Sequence, residues 1–386
     1  MTFVRTPRFP GPGRRLPFRR RLTCAIVFTL GWFITATPAR GQGHEVGPPP
    51  EAADQYPLLR ISGFGDIDFA AQKRAEGTRG FSEGQFVLHL ASALSPRTNV
   101  FSELSFTPRA DAGTGNPPAT GFNTEVERLI IRFDRSDQLK VSFGRYHTPI
   151  NWWNTAYHHG QWLQTTITRP EMVQFGGRFI PVHFVGALVE GTMATNGLHI
   201  GYQGGVGNGR GAVISRGGDA GDNNDRPAWL ANVYTRPDKL FALEVGGSVY
   251  FDRVSTTGRP EFDERILAGH AVWQREDPEV IAEVAQVHHW QVGGTLETSN
   301  VAYYVQAAYR LPSSARLWKP YYRFEHIGID TADPVFAGVP RLDGSTFGVR
   351  FDISLYAAIK TEGRLRQRES GEPRANGWFT QVAFTF

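Results

Sequence analysis

Cysteine is nearly missing from the sequence, since Cys24 is the only one among 386 residues. It lies near the N-terminus, so the rest of the chain carries no thiol and must fold without disulfides. A chain without thiols, whose fold does not depend on disulfides, is suited to an oxidising compartment of the cell envelope.

Long hydrophobic runs are also scarce. The one apolar run, residues 22–36, is too short for a comfortable helical membrane span. Seven arginines precede it and the small residues Thr37-Pro38-Ala39 follow it, which is the pattern of a cleaved secretory signal peptide. We therefore assign residues 1–40 to a signal peptide. The arginine pairs leave twin-arginine export open as the less favoured alternative.

A positive net charge is missing once this segment is set aside. Eight of the 41 basic residues and none of the 37 acidic ones lie in residues 1–40, so the remainder carries 33 against 37, a net charge near −4. This balance gives no support to nucleic-acid binding.

Residues 41–56 are polar and contain Pro48-Pro49-Pro50, which predicts a disordered periplasmic segment. Over residues 57–386, apolar and polar residues alternate with a period of two, as in strands with one apolar face. We count about sixteen such strands. They lie at 59–69, 86–90, 104–106, 129–133, 139–143, 182–189, 198–203, 229–235, 240–251, 266–274, 280–288, 300–311, 317–326, 345–353, 355–364 and 376–386.

The connections between these strands are short and long in strict alternation. Long Gly- and Asp-rich segments lie around 71–83, 109–123, 147–180, 205–226, 253–263, 290–299, 329–344 and 366–376, and tight turns lie between them. The pattern predicts an all-β fold, a transmembrane antiparallel up-and-down β-barrel with short periplasmic turns and long extracellular loops. A sandwich or propeller has no reason to keep this alternation.

A soluble secreted all-β protein is the alternative fold. Aromatic residues near strand ends argue against it, because such residues suit the two interfaces of a membrane. They are Tyr303, Tyr309, Trp318, Tyr322 and Trp378. Leu243 and Val305 belong to the predicted lipid-facing row.

Residues 376–386 form a strand with Trp378, Val382, Phe384 and Phe386 on one face and Gln381 on the other. This stretch resembles the C-terminal strand of Gram-negative outer-membrane β-barrels. The resemblance implies that the barrel-assembly machinery reads the final Phe.

The rows that alternate with the apolar ones are charged and would face the inside of the barrel. Sixteen strands leave an aqueous channel there, whereas eight would be filled by side chains. The same charges can also form ion-pair ladders along the wall. They are Asp66, Asp68, Glu103, Arg128, Arg132, Lys140, Glu244, Glu283, Arg310, Lys319, Arg323, Glu325, Arg350, Asp352, Lys360, Glu362 and Arg364.

The long segment after the fifth strand is too aromatic for a solvated loop. In strand count, loop alternation, loop position and terminal Phe, the chain resembles the sixteen-stranded porins over about residues 57–386. The resemblance implies that this loop folds into the barrel and narrows it. The predicted constriction comprises Trp152, Trp153, Tyr157, His158, His159 and Trp162 of the loop with Arg128, Arg132, Lys140, Lys319, Arg323 and Arg350 of the wall. Porins oppose several acids on this loop to a basic wall, and here Glu171 is the only acid.

Other motifs carry weaker signals. Six histidines raise the question of a metal site, namely His147, His158, His159, His183, His288 and His289. Adjacent histidines on a strand point to opposite sides and no carboxylate is spaced to complete a set, so loop hydrogen bonding is favoured. The glycine-rich residues 204–211 precede no helix and are therefore predicted to form an outer loop. The sequence contains no evident arrangement of Ser, His and an acidic residue that would indicate a hydrolase. We therefore expect neither an enzyme nor a cofactor.

These observations predict a porin-like channel in the cell outer membrane for passive diffusion of small hydrophilic solutes. A barrel plugged by its own loop, with a surface or ligand-binding role, is the alternative, and an outer-membrane enzyme comes third. The expected partners are outer-membrane lipid and lipopolysaccharide, the assembly machinery and small polar solutes. A homotrimer is left open, and no nucleic acid is expected.

Overall fold

The computed structural model describes residues 56–72, 79–157, 159–174, 178–368 and 376–386. The predicted signal peptide and all but Tyr56 of the predicted disordered segment lie outside these residues. His158 of the predicted constriction also lies outside them.

Within the described residues, sixteen antiparallel strands form one closed barrel in which each strand pairs with its neighbours in sequence and β1 pairs with β16. The strands are β1 (Leu58–Ala71), β2 (Gly80–Ser95), β3 (Thr98–Pro108), β4 (Phe122–Ser136), β5 (Leu139–His147), β6 (His183–Met193), β7 (Ile200–Asn208), β8 (Ala228–Thr235), β9 (Leu243–Val254), β10 (Phe262–Gln274), β11 (Glu279–Gln291), β12 (Glu297–Ala308), β13 (Trp318–Gly328), β14 (Leu342–Asp352), β15 (Ala357–Arg368) and β16 (Gly377–Thr385).

Exposure alternates along the strands as the sequence predicts. In β12, Val301, Tyr303 and Val305 are exposed while Tyr304 and Gln306 are buried. Aliphatic and aromatic side chains thus cover the outside of the barrel, and most charged and amide side chains point inward. The predicted all-β transmembrane barrel is confirmed, because only such a closed sheet can present an apolar outer surface with every ladder hydrogen bond paired.

The long and short connections lie at opposite rims, here called the loop rim and the turn rim. The predicted strict alternation of length is wrong in part of the barrel. Residues 292–296 make a brief connection at the loop rim, whereas residues 309–317 make a longer one at the turn rim. The latter contains a 3-10 turn at Ser313–Ala315 after Pro312. Arg310 lies in this connection, so its predicted place on a strand is also wrong.

The prediction of an outer loop over residues 204–211 is wrong for its first half, because β7 continues to Asn208. Gly207 packs against Gly186 of β6, and a Cβ atom on Gly207 would clash with the carbonyl oxygen of Val185. The glycines therefore allow two strands to approach closely. The connection to β8 begins only at residue 209.

A β-bulge in β4 changes which side chains enter the barrel. Glu103 of β3 is in register with Arg128 and Leu104 with Val126, so Glu127 is an extra residue. Both Glu127 and Arg128 are buried. The bulge therefore places an acid and a base side by side on the inner face, which strict alternation forbids.

In the part of the chain that the structure describes, helical structure is confined to short pieces. The five-residue helix α1 (Trp153–Tyr157) and a 3-10 turn at Glu171–Val173 lie between β5 and β6. Among the described residues, no helix combines the length and the apolar character needed to cross a membrane.

Candidate functional site

The connection between β5 and β6, residues 148–182, is here called the long loop. It lies inside the barrel, because its main chain bonds to inward-facing side chains of strands remote in sequence. The N–H groups of Trp152 and Trp153 each donate to Glu283 Oε1 at 2.7 Å. The Asn151 N–H donates to Ser248 Oγ at 3.2 Å, and its side-chain amide donates to the Val284 carbonyl at 3.1 Å. These bonds fix the start of the long loop against β9 and β11.

Basic side chains of β13, β14 and β15 hold the middle of the long loop through its carbonyl oxygens. Arg323 donates to the Thr168 carbonyl at 2.8 Å, and Arg350 donates to the carbonyls of Trp162 and Gln164 at 2.6 and 2.9 Å. Lys360 donates to the carbonyls of Gln161 and Thr166, the latter at 3.1 Å. These cations thus replace the water that would otherwise solvate the loop backbone.

Acidic residues of the same wall accept from the loop. Glu362 accepts from the N–H of Ile167 at 2.9 Å and from the Thr168 hydroxyl at 2.8 Å. Glu325 accepts from the N–H of Glu171 at 2.7 Å.

Glu171 itself pairs with Arg366 of β15 at 2.9 Å. The one acid of the long loop thus faces a basic residue of the wall. The porin resemblance implies an opposition of acidic loop residues and basic wall residues, and here that opposition consists of a single pair.

The other side of the long loop meets β2, β3 and β4. His159 is 3.2 Å from the Gln85 side-chain oxygen and 3.4 Å from Glu127 Oε1. His147, the last residue of β5, is 3.5 Å from Glu103 Oε2. Glu103 also pairs with Arg128 at 2.5 Å and with His89 at 3.1 Å. Three histidines, His147, His159 and His183, therefore converge with two carboxylates inside the barrel.

Aromatic rings fill the space around α1. Trp152 and Trp153 both meet the Tyr157 ring edge-on, at centroid distances of 4.9 and 5.1 Å. Trp153 also meets Tyr304 of β12 at 6.0 Å. Trp153 is fully buried. The aromatic content that made this segment unsuitable as a solvated loop is thus explained by packing inside the barrel.

The remaining predicted constriction residues divide into two groups. Trp162 lies under Arg350, with 5.8 Å between the guanidinium and the ring centroid. Arg132 and Lys319 are buried in ion pairs nearer the turn rim, Arg132 with Asp134 and Glu190 and Lys319 with Glu276 and Glu279.

Lys140 is half-buried beside the 137–138 turn, in register with Glu190. Glu127, which the sequence reasoning missed, contacts the long loop.

Burial shapes the ionisation of two loop groups. It lowers the pKa of the Arg169 guanidinium to about 9, although the charge of Glu127 opposes this. Burial also raises the pKa of Tyr157 well above its ordinary value, so its hydroxyl stays protonated. A cavity of about 50 Å³ adjoins the long loop, between Arg132, Tyr146, Pro149 and Thr155.

No protein-family model matches the sequence, and no curated protein matches it. Solved structures do match the fold. The outer-membrane channel DcaP of Acinetobacter baumannii has a TM-score of 0.56 at 10% identity, over 89% of this chain and 100% of that one. OmpF of Salmonella typhi, in complex with daunomycin, has a TM-score of 0.56 at 10% identity, over 85% and 97%. OmpT, an outer-membrane protein of Vibrio cholerae, has a TM-score of 0.54 at 11% identity, over 89% and 100%.

At these identities the likeness concerns the fold alone. The described residues form a closed sixteen-stranded antiparallel barrel, and its fold is similar to that of porins.

Proposed function

We propose that the chain is an outer-membrane porin-type channel for passive diffusion of small hydrophilic solutes, and that the long loop sets its constriction. The observation that carries this proposal is the attachment of the long loop to opposite walls of the barrel. Glu127 belongs to β4, while Glu283 and Arg323 belong to β11 and β13. Both β11 and β13 lie seven positions away from β4 in a ring of sixteen, so the loop crosses the interior.

The chemistry of the interior supports a polar solute. Charged side chains of both signs point inward from most of the strands, among them Asp66 on β1, Arg132 on β4 and Glu362 on β15. A polar solute that passes through such a lining exchanges its hydration for polar contacts, whereas an apolar solute displaces water from the charged side chains without replacing their hydrogen bonds. The predicted constriction residues of the loop and wall keep that role in the proposal.

The proposed location is the outer membrane, reached through a cleaved signal peptide. It is supported by the exposed apolar rows of the strands and by the fold shared with outer-membrane proteins. Outer-membrane lipid, lipopolysaccharide, the assembly machinery and small polar solutes are the proposed partners. The proposal includes no catalytic activity.

A second candidate function is favoured by the lack of solvent-exposed surface on charged side chains of the inner wall. Arg323, Lys360 and Glu362 have no exposed surface, although the lining of an open pore is wet. In this alternative, the long loop plugs the barrel and the protein has a binding or surface role. The two candidates differ in one measurable property, the conductance of the intact protein.

The test replaces residues 152–162 by a short Gly-Ser linker and measures single-channel conductance in planar lipid bilayers. The expected result is a small conductance for the intact protein and a larger one for the variant, which should also admit larger solutes. The matched control replaces residues 110–120, a connection at the loop rim in which almost every residue is exposed. This control should leave conductance unchanged.

Each outcome is decisive. An intact protein without conductance steps, together with an open variant, would favour the plugged barrel. If the variant conducts like the intact protein while still folded, the long loop is not the constriction.

A further inference from the structure

A compact group of metal-binding side chains lies where the long loop meets β3 and β5. Glu103, His147 and His159 each offer one donor atom, and these atoms lie within 4.8 Å of one another. All three residues are buried. Their positions are 103, 147 and 159, so the pairing of β3, β4 and β5 together with the inserted loop brings them together.

A fourth donor borders this group. Glu127, the extra residue of the β4 bulge, lies 3.4 Å from His159 and 2.9 Å from His183. The His147 and His183 rings are 5.6 Å apart between centroids. Two imidazoles and one or two carboxylates are the donor set that zinc takes in proteins.

We propose that Glu103, His147 and His159 form a binding site for a divalent transition-metal ion of the zinc class, with the carboxylate of Glu127 bordering it. In a tetrahedral zinc site with Zn–N bonds of about 2.0–2.1 Å, neighbouring donor atoms are about 3.3 Å apart. The present separations therefore need to contract by up to about 1.5 Å, which side-chain rotation can supply. Hard cations are disfavoured, since calcium and magnesium take oxygen ligands rather than imidazole.

The charge around the site is compatible with a cation. Glu103 and Glu127 carry two negative charges, and Arg128 pairs with Glu103 through the same carboxylate oxygen that faces His147. Metal binding therefore requires Arg128 to give up part of this contact. Arg145 lies 3.7 Å from Glu127 and is engaged by Asp219 at 2.8 Å.

The site would connect a wall strand to the long loop. Glu103 lies on β3, His147 ends β5, and His159 belongs to the long loop itself. An ion held by all three fixes the loop to this wall without using the hydrogen bonds to β11 and β13. This inference is independent of whether the barrel conducts, because it concerns binding alone.

The test measures zinc binding to the folded, detergent-solubilised protein, prepared without a polyhistidine tag, by isothermal titration calorimetry. One equivalent of Zn²⁺ should bind, and Co²⁺ in its place should give the visible absorption of a tetrahedral site. His147→Ala and His159→Ala should each weaken binding by more than the roughly 10- to 100-fold loss that outer-shell substitutions cause. Near-ultraviolet circular dichroism checks that each variant remains folded.

Two other substitutions serve as controls. His288→Ala and His326→Ala remove histidines that are at least partly exposed and lie on β11 and β13, and both variants should bind zinc as the intact protein does. The absence of stoichiometric binding to the intact protein would overturn the proposal. So would equal affinity in the folded His147→Ala and His159→Ala variants, since the bound ion would then lie elsewhere.

Discussion

The side chain of Glu283 caps the first turn around Trp153. One carboxylate oxygen, Oε1, accepts the main-chain N–H groups of both Trp152 and Trp153 at 2.7 Å. These N–H groups lie at the start of α1 and have no partner within the helix. A wall residue of β11 therefore supplies the cap that the loop sequence itself lacks.

Removing this cap should loosen the start of the long loop. Glu283→Leu leaves two buried N–H groups without an acceptor, at about 1–3 kcal/mol each. Amide hydrogen exchange over residues 151–157 should therefore rise at least about tenfold. Glu297→Leu, at an exposed position of β12, should leave that exchange unchanged. Equal protection in both variants would contradict the assigned role of Glu283.

Depth in the membrane should decide the cost of a charge on the outer face. Val284 is exposed in the middle of β11, whereas Leu243 begins β9 beside the turn rim. Val284→Arg should cost about 2–4 kcal/mol and Leu243→Arg about 0–1 kcal/mol. Urea unfolding from lipid vesicles measures both values. The reverse order would mean that the depths of the two positions are misassigned.

Two arginines in the connection between β7 and β8 should differ sharply in their contribution to stability. Arg210 is buried, pairs with Glu264 at 3.0 Å and donates to the Phe179 carbonyl at 2.7 Å. Arg210→Ala leaves a buried carboxylate with fewer partners and should cost about 3–5 kcal/mol. Arg216 pairs with Glu125 in a solvent-exposed setting, so Arg216→Ala should cost at most about 1 kcal/mol. Chemical denaturation distinguishes the two variants.

Asp333 anchors the connection between β13 and β14. Its carboxylate accepts from Asn300 at 2.6 Å, from Thr298 at 2.9 Å and from the N–H of Val335 at 2.8 Å. Burial raises its pKa, but hydrogen bonds and charge interaction with His289, together with the bond from Asn300, lower it to about 2. Because the folded pKa is depressed, this carboxylate contributes its full stability above about pH 4, and the contribution is lost as the pH falls through about 2.

This pH dependence can be measured with pepsin, which works in acid. Cleavage within residues 329–341 should be slow at about pH 4 and faster at about pH 2. Asp333→Asn should be cleaved readily at both values. Asp343→Asn, at an exposed position paired with His326, provides the control and should behave like the intact protein. A pH-independent cleavage rate in the intact protein would contradict the anchoring role.

The strands could be predicted because their signal is local. In β16, Val382 and Phe384 are exposed while Gln381 and Ala383 are buried, as a period of two requires when one face is apolar. The inward position of the long loop could be predicted from its aromatic residues. What they pack against could not, because the partners of Trp152 and Trp153 lie on β11 and β12.

Two features escaped prediction for definite physical reasons. The bulge at Glu127 adds one residue to β4 and so places two consecutive side chains on the same face. A pattern that alternates strictly with a period of two cannot predict such an extra residue. Spacing along the chain also suggested no carboxylate near the histidines. Glu103 reaches His147 across β4, from a strand that local spacing does not connect with it.

The attachments of the long loop have a consequence for the order of folding. Its hydrogen bonds join residues far apart in the chain, with sequence separations of 131 between Trp152 and Glu283 and 194 between Thr168 and Glu362. Contacts of such separation form slowly, because the chain between them must be arranged first. The loop therefore cannot reach its final place before the second half of the barrel is paired, and a half-assembled barrel would carry these aromatic residues unprotected.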